Sequence, residues 1–356
     1  MKITVPTIDF GTSKIVTMVA QSNGERCDIV GSGAVPYSGY LQDGWNNPDE
    51  IRDVIRTAID QAQKTGNCRI HELNVGVPGM FTRVIVKEVH VSLTGPDPHV
   101  TAQDVRACFK LAEESGGDRI IHSAPAWFRV DDGKKTLSPV GIKGRELSAM
   151  IALVTADKYF IDDITYRLRD MDIEPREFYS TVAGEATYAL SQDERDKTAM
   201  LIDIGYLCTD VMVMEGDALI FHKCLDIGGG HISADIAEQL NIPFPFVEEK
   251  IKQTYSFNST NQDETYVIPA TEDEPARTVR RDEVTPIIEA KVEEIAEAIN
   301  KALEEGGVKL GKWSNVYLTG GGLILNKGGK DFLAGKLHRI IREAQRTNNK
   351  MTSHVF

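Results

Sequence analysis

The chain has 356 residues, of which 41% are hydrophobic and 26% charged, and its formal net charge is −13. That hydrophobic fraction is enough to fill a core, which excludes a wholly disordered chain, and the length predicts two domains or one body divided by a deep cleft. The negative charge argues against a general nucleic-acid-binding protein, because neutralising phosphates requires clustered lysine and arginine. No stretch approaches the roughly 20 consecutive apolar residues that span a bilayer, and no signal peptide precedes the first strand, so we expect a cytoplasmic protein.

The first elements in chain order are strands and one helix. Residues Ile3–Gln21 are rich in β-branched side chains and are interrupted by one glycine-containing turn, which predicts a strand, a tight turn and a second strand. Another strand is predicted over Cys27–Val35. Pro48 then opens a helix whose apolar positions recur at the helical period from Ile51 to Ala62. A buried strand follows over 73–77 and ends in a Pro-Gly turn.

The segment from about Thr82 to Met171 has a different pattern, which predicts a compact unit inserted into the first half. Its elements are expected to be a strand, a helix, two strands and a second helix, over 84–91, 102–114, 120–130, 147–154 and 156–171.

The second half begins with a strand over Ala199–Gly205. The polar stretch Gln253–Glu283 is predicted to be a solvated loop or short strands. The remaining predicted elements are strands over 210–214, 218–225 and 316–319, and helices over 231–240, 284–305 and 330–346. The last helix is amphipathic, and packing against the core explains this better than binding to a membrane surface.

An internal repeat carries the functional information. The run Ile8–Val16 is echoed by Ile202–Met212, and each places an aspartate at the end of a strand, then an apolar residue, a glycine turn and another strand. Successive backbone N–H groups in such a turn bind phosphates, and an adjacent aspartate holds Mg²⁺ through water. Lys14 adds a positive charge for the β- or γ-phosphate. With a third glycine turn at 319–322, the repeat predicts two related halves that close on a nucleotide.

The order of these motifs resembles that of the actin/Hsp70/sugar-kinase superfamily. Asp9–Lys14, Asp203–Gly205 and Leu318–Gly322 are similar to its phosphate 1, phosphate 2 and adenosine motifs. The resemblance implies an α/β fold of the actin-like type, with two related halves around a nucleotide cleft. It also implies ATP and Mg²⁺ as cofactors.

Within the superfamily, the chain looks most like the FtsA family of bacterial cell-division proteins, from Ile3 to about Leu337. The inserted unit lies where that family carries subdomain 1C, and Val100–Val105 looks like the start of its helix. The resemblance implies subdomain 1A over 1–81 and 172–195, 1C over 82–171, 2A over 196–240 and 306–356, and 2B over 241–305.

The same resemblance implies roles for individual residues. The β- and γ-phosphates are expected at Gly11, Thr12, Ser13 and Lys14, and Gly205 is expected in the second phosphate turn. Mg²⁺ is expected near Asp9 and Asp203, which would hold it through water. Ribose and adenine are expected at Glu249 and Lys252, and the adenosine is expected to lie along Gly320, Gly321 and Gly322. Without the resemblance, Glu249 and Lys252 would be read as a salt-bridged surface of a helix.

The chain departs from the superfamily pattern in two places. Tyr206, Leu207 and Cys208 replace the small residues of the second phosphate motif, and their bulk is expected to narrow the phosphate cradle. Ser180-Thr181 stands where many relatives carry Glu-Pro, so the usual water-activating carboxylate is missing. Glu185, just over one turn further along, is a substitute candidate, although capping or a salt bridge fits it better. We therefore predict a nucleotide-binding switch with slow or absent turnover, for which Asp9, Asp203 and Glu185 are the only weak catalytic candidates.

The FtsA resemblance implies a protein that polymerises head-to-tail and links the C-terminal peptide of FtsZ to the membrane and to later division proteins. The family's membrane helix is not recognisable at the end of this sequence, so we expect the membrane to be reached through a missing tail or a partner, at the inner face of the division site. Two alternatives remain open at this stage: a PilM-like pilus-assembly adaptor and a small-molecule kinase of the same superfamily.

Overall fold

The structure of the chain, a computed structural model, divides into two compact units. The structure describes residues 3–23, 27–41, 44–114, 116–117, 119–261, 263–270, 275–311 and 314–344. Unit 1 contains the residues up to Ala199 together with Met212–His222, and unit 2 contains Met200–Val211 and Lys223–Ala344. The boundary between the two halves was expected at residues 195–196. The main difference from that expectation is that Met212–His222, which was placed in the second half, belongs to unit 1.

The helices of the described residues agree with most of those predicted. They are α1 Ile51–Gly66, α2 Ala102–Glu114, α3 Lys158–Arg169, α4 Thr181–Ala189, α5 Gln192–Arg195, α6 Gly229–Leu240, α7 Phe244–Phe246, which continues as a π-helix over Val247–Lys252, α8 Arg281–Glu305 and α9 Gly329–Leu337. A 3₁₀ turn covers Gly79–Phe81.

The strands of the described residues form two larger sheets and three smaller ones. They are β1 Ile3–Phe10, β2 Lys14–Ser22, β3 Cys27–Pro36, β4 Tyr40–Leu41, β5 Gly44–Trp45, β6 Glu72–Val77, β7 Thr82–Ser92, β8 Ile120–Val130, β9 Glu146–Ala156, β10 Glu174–Ser180, β11 Ala199–Ile204, β12 Thr209–Glu215, β13 Ala218–Leu225, β14 Thr265–Ile268, β15 Arg277–Arg280, β16 Asn315–Thr319 and β17 Ile341–Glu343.

The first sheet has the order β10-β6-β1-β2-β3. β1 and β2 are antiparallel, with Phe10 opposite Ile15, whereas β6 lies between β1 and β10 and pairs in parallel with both. The carboxyl ends of these three strands therefore meet at one edge of the sheet, the usual place for a ligand in such sheets. α1 packs closely on β3, because a Cβ at Gly33 would lie 2.1 Å from the carbonyl oxygen of Ala58.

The inserted unit is a three-stranded sheet with the order β7-β9-β8, covered on one face by α2. Its helix α3 differs in its packing, because Phe160, Ile164 and Leu168 lie in the core of the first sheet instead. On the other face of the insertion, Trp127 and its neighbours pack against Ala218 of β13.

The turn between β12 and β13 is fixed by a buried arginine. The guanidinium of Arg195 donates hydrogen bonds to the carbonyl oxygens of Gly216, Thr187 and Leu190, at 3.0, 3.0 and 2.9 Å. It also pairs with Asp217 at 3.1 Å. These contacts hold the turn against the segment that joins α4 to β11.

The strands of the second half are ordered β13-β12-β11-β16-β17, and β14 and β15 form a separate two-stranded ribbon. This ribbon confirms the short strands predicted for the polar stretch. The helix predicted over Lys330–Arg346 is wrong beyond Leu337, because His338 has a φ of +53° that ends α9. The β-branched residues at 340–341 favour extended backbone, and β17 pairs in parallel with β16. Arg346 lies outside the described residues.

Candidate functional site

In unit 1, the β1–β2 turn presents a tightly closed backbone. The N–H of Gly11 donates to the carbonyl of Lys14 at 3.1 Å, and a Cβ at Gly11 would lie 3.2 Å from the same oxygen. The hydroxyls of Tyr37 and Tyr40 donate to the carbonyls of Gly11 and Phe10, at 2.7 and 3.0 Å. Carbonyl oxygens repel phosphate. Because the tyrosine hydroxyls engage two of these oxygens and the exposed Lys14 lies at the end of the turn, the turn favours binding of an anion.

Asp9 lies at the edge where the three parallel strands end. Burial raises the pKa of its carboxyl, while the N–H of Phe10 and the charge of Lys14 act in the opposite direction. A Cβ at Gly76 would lie 3.4 Å from Oδ1 of Asp9 and 2.8 Å from Cγ2 of Thr181. Asp9 therefore shares this edge with the ends of β6 and β10, and no side chain fits at position 76.

At the start of α4, Ser180 and Thr181 carry hydroxyls at the position where many members of the superfamily carry a water-activating carboxylate. The Ser180 Oγ caps the helix by accepting from the N–H of Ala183 at 3.2 Å. The Thr181 hydroxyl donates to the carbonyl of Val77 at 3.0 Å. Both groups thus serve the backbone, and Glu185 is half-buried about one turn further along the helix. A hydroxyl engaged in this way is a poor activator of water.

In unit 2, the second turn repeats the backbone of the first. The N–H of Gly205 donates to the carbonyl of Cys208 at 2.9 Å, the counterpart of the bond from Gly11 to Lys14. A Cβ at Gly205 would lie 3.1 Å from that carbonyl oxygen. The sequence repeat is therefore also a repeat of hydrogen bonding. The side chains differ, because the buried Cys208 stands where the first turn has its lysine.

The glycines at 320–322 lie against the end of β11. Gly320 has a φ of +87°, and a Cβ there would lie 2.0 Å from Oδ1 of Asp203. The N–H of Gly322 donates to the carbonyl of Ile204 at 2.7 Å. Gly321 is exposed, and the nearest atom to a Cβ there is 4.0 Å away. The structure thus brings Asp203, Gly205, Gly320 and Gly322 together, while Gly321 faces away from this contact.

A further glycine turn, Gly228–Gly230, belongs to the same place. The N–H of Gly229 donates to the carbonyl of Gly205 at 2.9 Å, and a Cβ at Gly229 would lie 2.4 Å from the Cα of Gly322. These glycines directly precede the helix predicted over 231–240, and three consecutive glycines before a helix are a recognisable sequence signal. Because α6 begins at Gly229, its positive N-terminal end lies at the glycine turns and favours an anion.

Of the predicted helical pair, only Lys252 reaches this place. Its Nζ donates to the carbonyl of Gly229 at 2.8 Å and to Oε1 of Glu248 at 3.1 Å. Burial lowers the pKa of Lys252, and the charge of Glu248 opposes that shift. Glu249 is exposed, so its neighbour Glu248 is the carboxylate that pairs with the lysine.

The donor set is compatible with Mg²⁺ bound mainly through water and phosphate. Among the residues that the structure describes, no group of three or more His, Cys, Asp or Glu side chains is arranged to hold a metal ion. Magnesium does not need such a group, because it keeps several waters and is commonly held by one or two carboxylates with substrate phosphates. Asp9 in unit 1 and Asp203 in unit 2 are each a single carboxylate of that kind.

Two sequence models of one family match the chain. The model described as Cell division protein FtsA matches residues 200–322, and the model described as the SHS2 domain inserted in FTSA matches residues 79–155. Together they cover more than half of the chain. The chain belongs to the FtsA family. The SHS2 match ends before α3, in agreement with the packing of that helix on the first sheet.

Relatives and solved structures agree with FtsA membership. Cell division protein FtsA of Pseudomonas aeruginosa is 26% identical over 320 residues, which cover 88% of this chain and 76% of that protein. The PilM-PilN type IV pilus biogenesis complex shares the fold with a TM-score of 0.63 at 17% identity, covering 97% and 89% of the two chains. MreB 5 of Spiroplasma citri bound to AMPPNP gives 0.56 at 11% identity, covering 96% and 91%. The actin-like fold predicted from the motifs is confirmed.

Because the PilM likeness is structural and of low identity, the pilus-adaptor alternative is not favoured over FtsA. Among the helices of the described residues, none is both long and apolar enough to cross a membrane.

Proposed function

We propose that this FtsA-family chain is an actin-like cell-division protein that binds ATP with Mg²⁺. The repeated turn carries the proposal, because Gly11 and Gly205 close the same backbone hydrogen bond, each after a strand whose penultimate residue is aspartate. Lys14 would neutralise the terminal phosphates, and Asp9 and Asp203 would hold Mg²⁺ through its waters. The glycines around Gly320 would lie along the nucleoside. The relative MreB 5, solved with AMPPNP, supports a nucleotide ligand for this fold.

Calorimetric titration with ATP, with Mg²⁺ or with EDTA, tests nucleotide binding. Replacing Lys14 by alanine should weaken binding about 10- to 100-fold, because a charge-assisted hydrogen bond contributes about 1.5–3 kcal/mol. Lys64→Ala is the matched control, since Lys64 is exposed in the last turn of α1. Equal affinity in the two variants would contradict the role of Lys14.

Turnover is expected to be slow. The hydroxyls of Ser180 and Thr181 serve the backbone at the start of α4, where a carboxylate would be needed to activate water. The chain would then act as a switch whose conformation depends on the bound nucleotide. A steady-state ATPase assay that gave a rate typical of metabolic kinases, on the order of 10 per second or more, would contradict this part of the proposal.

Membership in the FtsA family also supports roles in assembly. We propose that the protein forms head-to-tail filaments and binds the C-terminal peptide of FtsZ, so that it links FtsZ to the membrane and to later division proteins at the inner face of the division site. Head-to-tail contacts that do not close into a ring produce filaments.

Pelleting with and without ATP, followed by electron microscopy, tests filament formation. A pull-down with the FtsZ C-terminal peptide, and with the same peptide in scrambled order, tests the partner. Filaments together with selective binding are the expected result. A protein that neither pellets nor binds the peptide would contradict the assembly proposal while leaving nucleotide binding to its own test.

A further inference from the structure

We infer that Tyr206 and Lys252 form a clamp that positions the first turn of α6. The resemblance to the family assigns Lys252 to ribose and adenine, and the geometry of unit 2 gives it a further role within the protein. The inference rests on the proposed nucleotide site only for its consequence on binding; the clamp itself is a property of the nucleotide-free protein.

Lys252 contacts three groups of unit 2. Two of the three N–H donors of its ammonium group are directed at the carbonyl of Gly229 at 2.8 Å and at Glu248 at 3.1 Å. The Nζ also lies 5.8 Å from the centre of the Tyr206 ring, within the range of a cation–π contact. Lys252 is only 9% exposed, so these contacts lie within the folded protein.

Tyr206 completes the clamp from the other side. A Cβ at Gly230 would lie 3.1 Å from the Tyr206 ring, and the N–H of Gly230 donates to the Tyr206 carbonyl at 2.7 Å. The ring is therefore directed towards α6 and Lys252. This explains a bulky residue at a position that is small in the wider superfamily, because the ring covers a buried cation that would otherwise be less well stabilised.

Gly229 contacts both the clamp and the other glycine turns. Its carbonyl accepts from Lys252, and its N–H donates to Gly205 at 2.9 Å. Its backbone lies so close to Gly322 that a Cβ built on Gly229 would be 2.4 Å from the Cα of Gly322. A shift of the first turn of α6 must therefore displace the turns at Gly205 and Gly322. Lys252 is a positioning residue for all three.

Hydrogen exchange in the absence of nucleotide tests the clamp. In Lys252→Met and in Tyr206→Ala, the amides of 228–231 and 205–208 should exchange about 10- to 100-fold faster, because the contacts that oppose local opening are lost. Lys250→Met and Tyr206→Phe are the matched controls: Lys250 is exposed on the same helix, and phenylalanine keeps the ring. Both controls should exchange as the parent does.

Two further measurements keep the inference falsifiable if a variant folds poorly. Lys252→Gln, which keeps an N–H donor, should give intermediate exchange. The double variant Lys252→Met/Tyr206→Ala should change exchange by less than the sum of the single effects, since both act on one contact.

Unchanged exchange in nucleotide-free Lys252→Met, combined with weaker ATP binding, would overturn the clamp and leave Lys252 as a direct ligand only. Additive effects of the two substitutions would also overturn it. Failure of the parent protein to bind ATP would count against the proposed function alone, because the exchange measurement contains no nucleotide.

Discussion

The contact between Gly320 and Asp203 gives the sharpest test of the glycine turns. In Gly320→Ala, the new Cβ would lie 2.0 Å from Oδ1 of Asp203 and 2.4 Å from the carbonyl oxygen of Ile204. Real side chains do not approach so closely, so the carboxylate and the backbone must both move. The backbone is also unsuitable, because φ is +87° and L-residues rarely adopt that conformation.

The magnitude follows from these two effects. A non-glycine residue at positive φ costs about 1–3 kcal/mol, and overpacking against a backbone carbonyl costs about 1–3 kcal/mol more. We therefore expect Gly320→Ala to lower the free energy of unfolding by about 2–6 kcal/mol. Its neighbour provides the control: Gly321→Ala places a Cβ 4.0 Å from the nearest atom, and should stay within about 1 kcal/mol of the parent.

Urea denaturation monitored by circular dichroism measures both variants, and ATP titration shows whether the displaced Asp203 matters for ligand binding. Gly320→Ala should lose affinity for Mg²⁺-ATP even at low temperature, where the fold is retained, whereas Gly321→Ala should bind as the parent does. Equal stability of the two alanine variants would refute the reasoning, because it would mean that Asp203 and the carbonyl of Ile204 are not packed against this turn.

Three other substitutions test the surrounding structure. Arg195→Met should destabilise the protein by about 3–5 kcal/mol, because carbonyl groups and a carboxylate lose a buried donor, whereas Arg176→Met, which removes an exposed pair, should cost less than about 0.5 kcal/mol in the same denaturation assay. Burial raises the pKa of Asp9, so the folded state binds that proton more tightly and loses stability as the pH rises through the folded pKa. Asp9→Asn should therefore raise the melting temperature at pH 7 without Mg²⁺, and the gain should vanish as the pH falls towards 4; a lower melting temperature at pH 7 would contradict this. Gly184→Ala should stabilise α4 by about 0.5–1 kcal/mol, since nothing lies within 4 Å of the new Cβ, and no gain in melting temperature would count against an undistorted helix there.

Much of the fold could be predicted because the signals were local. α1 was recognisable from apolar residues at the helical period, and β1 and β2 from β-branched runs around a single turn. The error at the end of α9 has a tertiary cause: β17 forms because an open edge of β16 is available to pair with it. The packing of α3 with the first sheet also depends on contacts distant in sequence, and its amphipathic pattern does not say which core it covers.

The candidate site divides in the same way. Glycine turns after strands can be found in a sequence, because their conformation depends on residue type and spacing. The contacts of a charged side chain on a helix cannot be found in a sequence. The i,i+3 spacing of Glu249 and Lys252 suggested a pair, yet the lysine instead contacts Glu248 and a carbonyl on α6. The contact of Tyr206 could not be found there either, since only the structure shows its ring against Gly230.

The two phosphate turns share a backbone and differ in charge, and this difference assigns them different tasks. The position that is Lys14 in the first turn is Cys208 in the second, where the thiol is buried beside Cys224. A lysine there would place its charge in a buried position, which folding opposes. The second turn therefore offers an anion backbone N–H groups and the nearby N-terminal end of α6, which act over short distances and as partial charges. In the proposed nucleotide site, the full positive charge at the phosphates would come from Lys14, and the second turn carries no lysine to replace it. Lys14→Ala is therefore expected to weaken ATP binding by at least an order of magnitude.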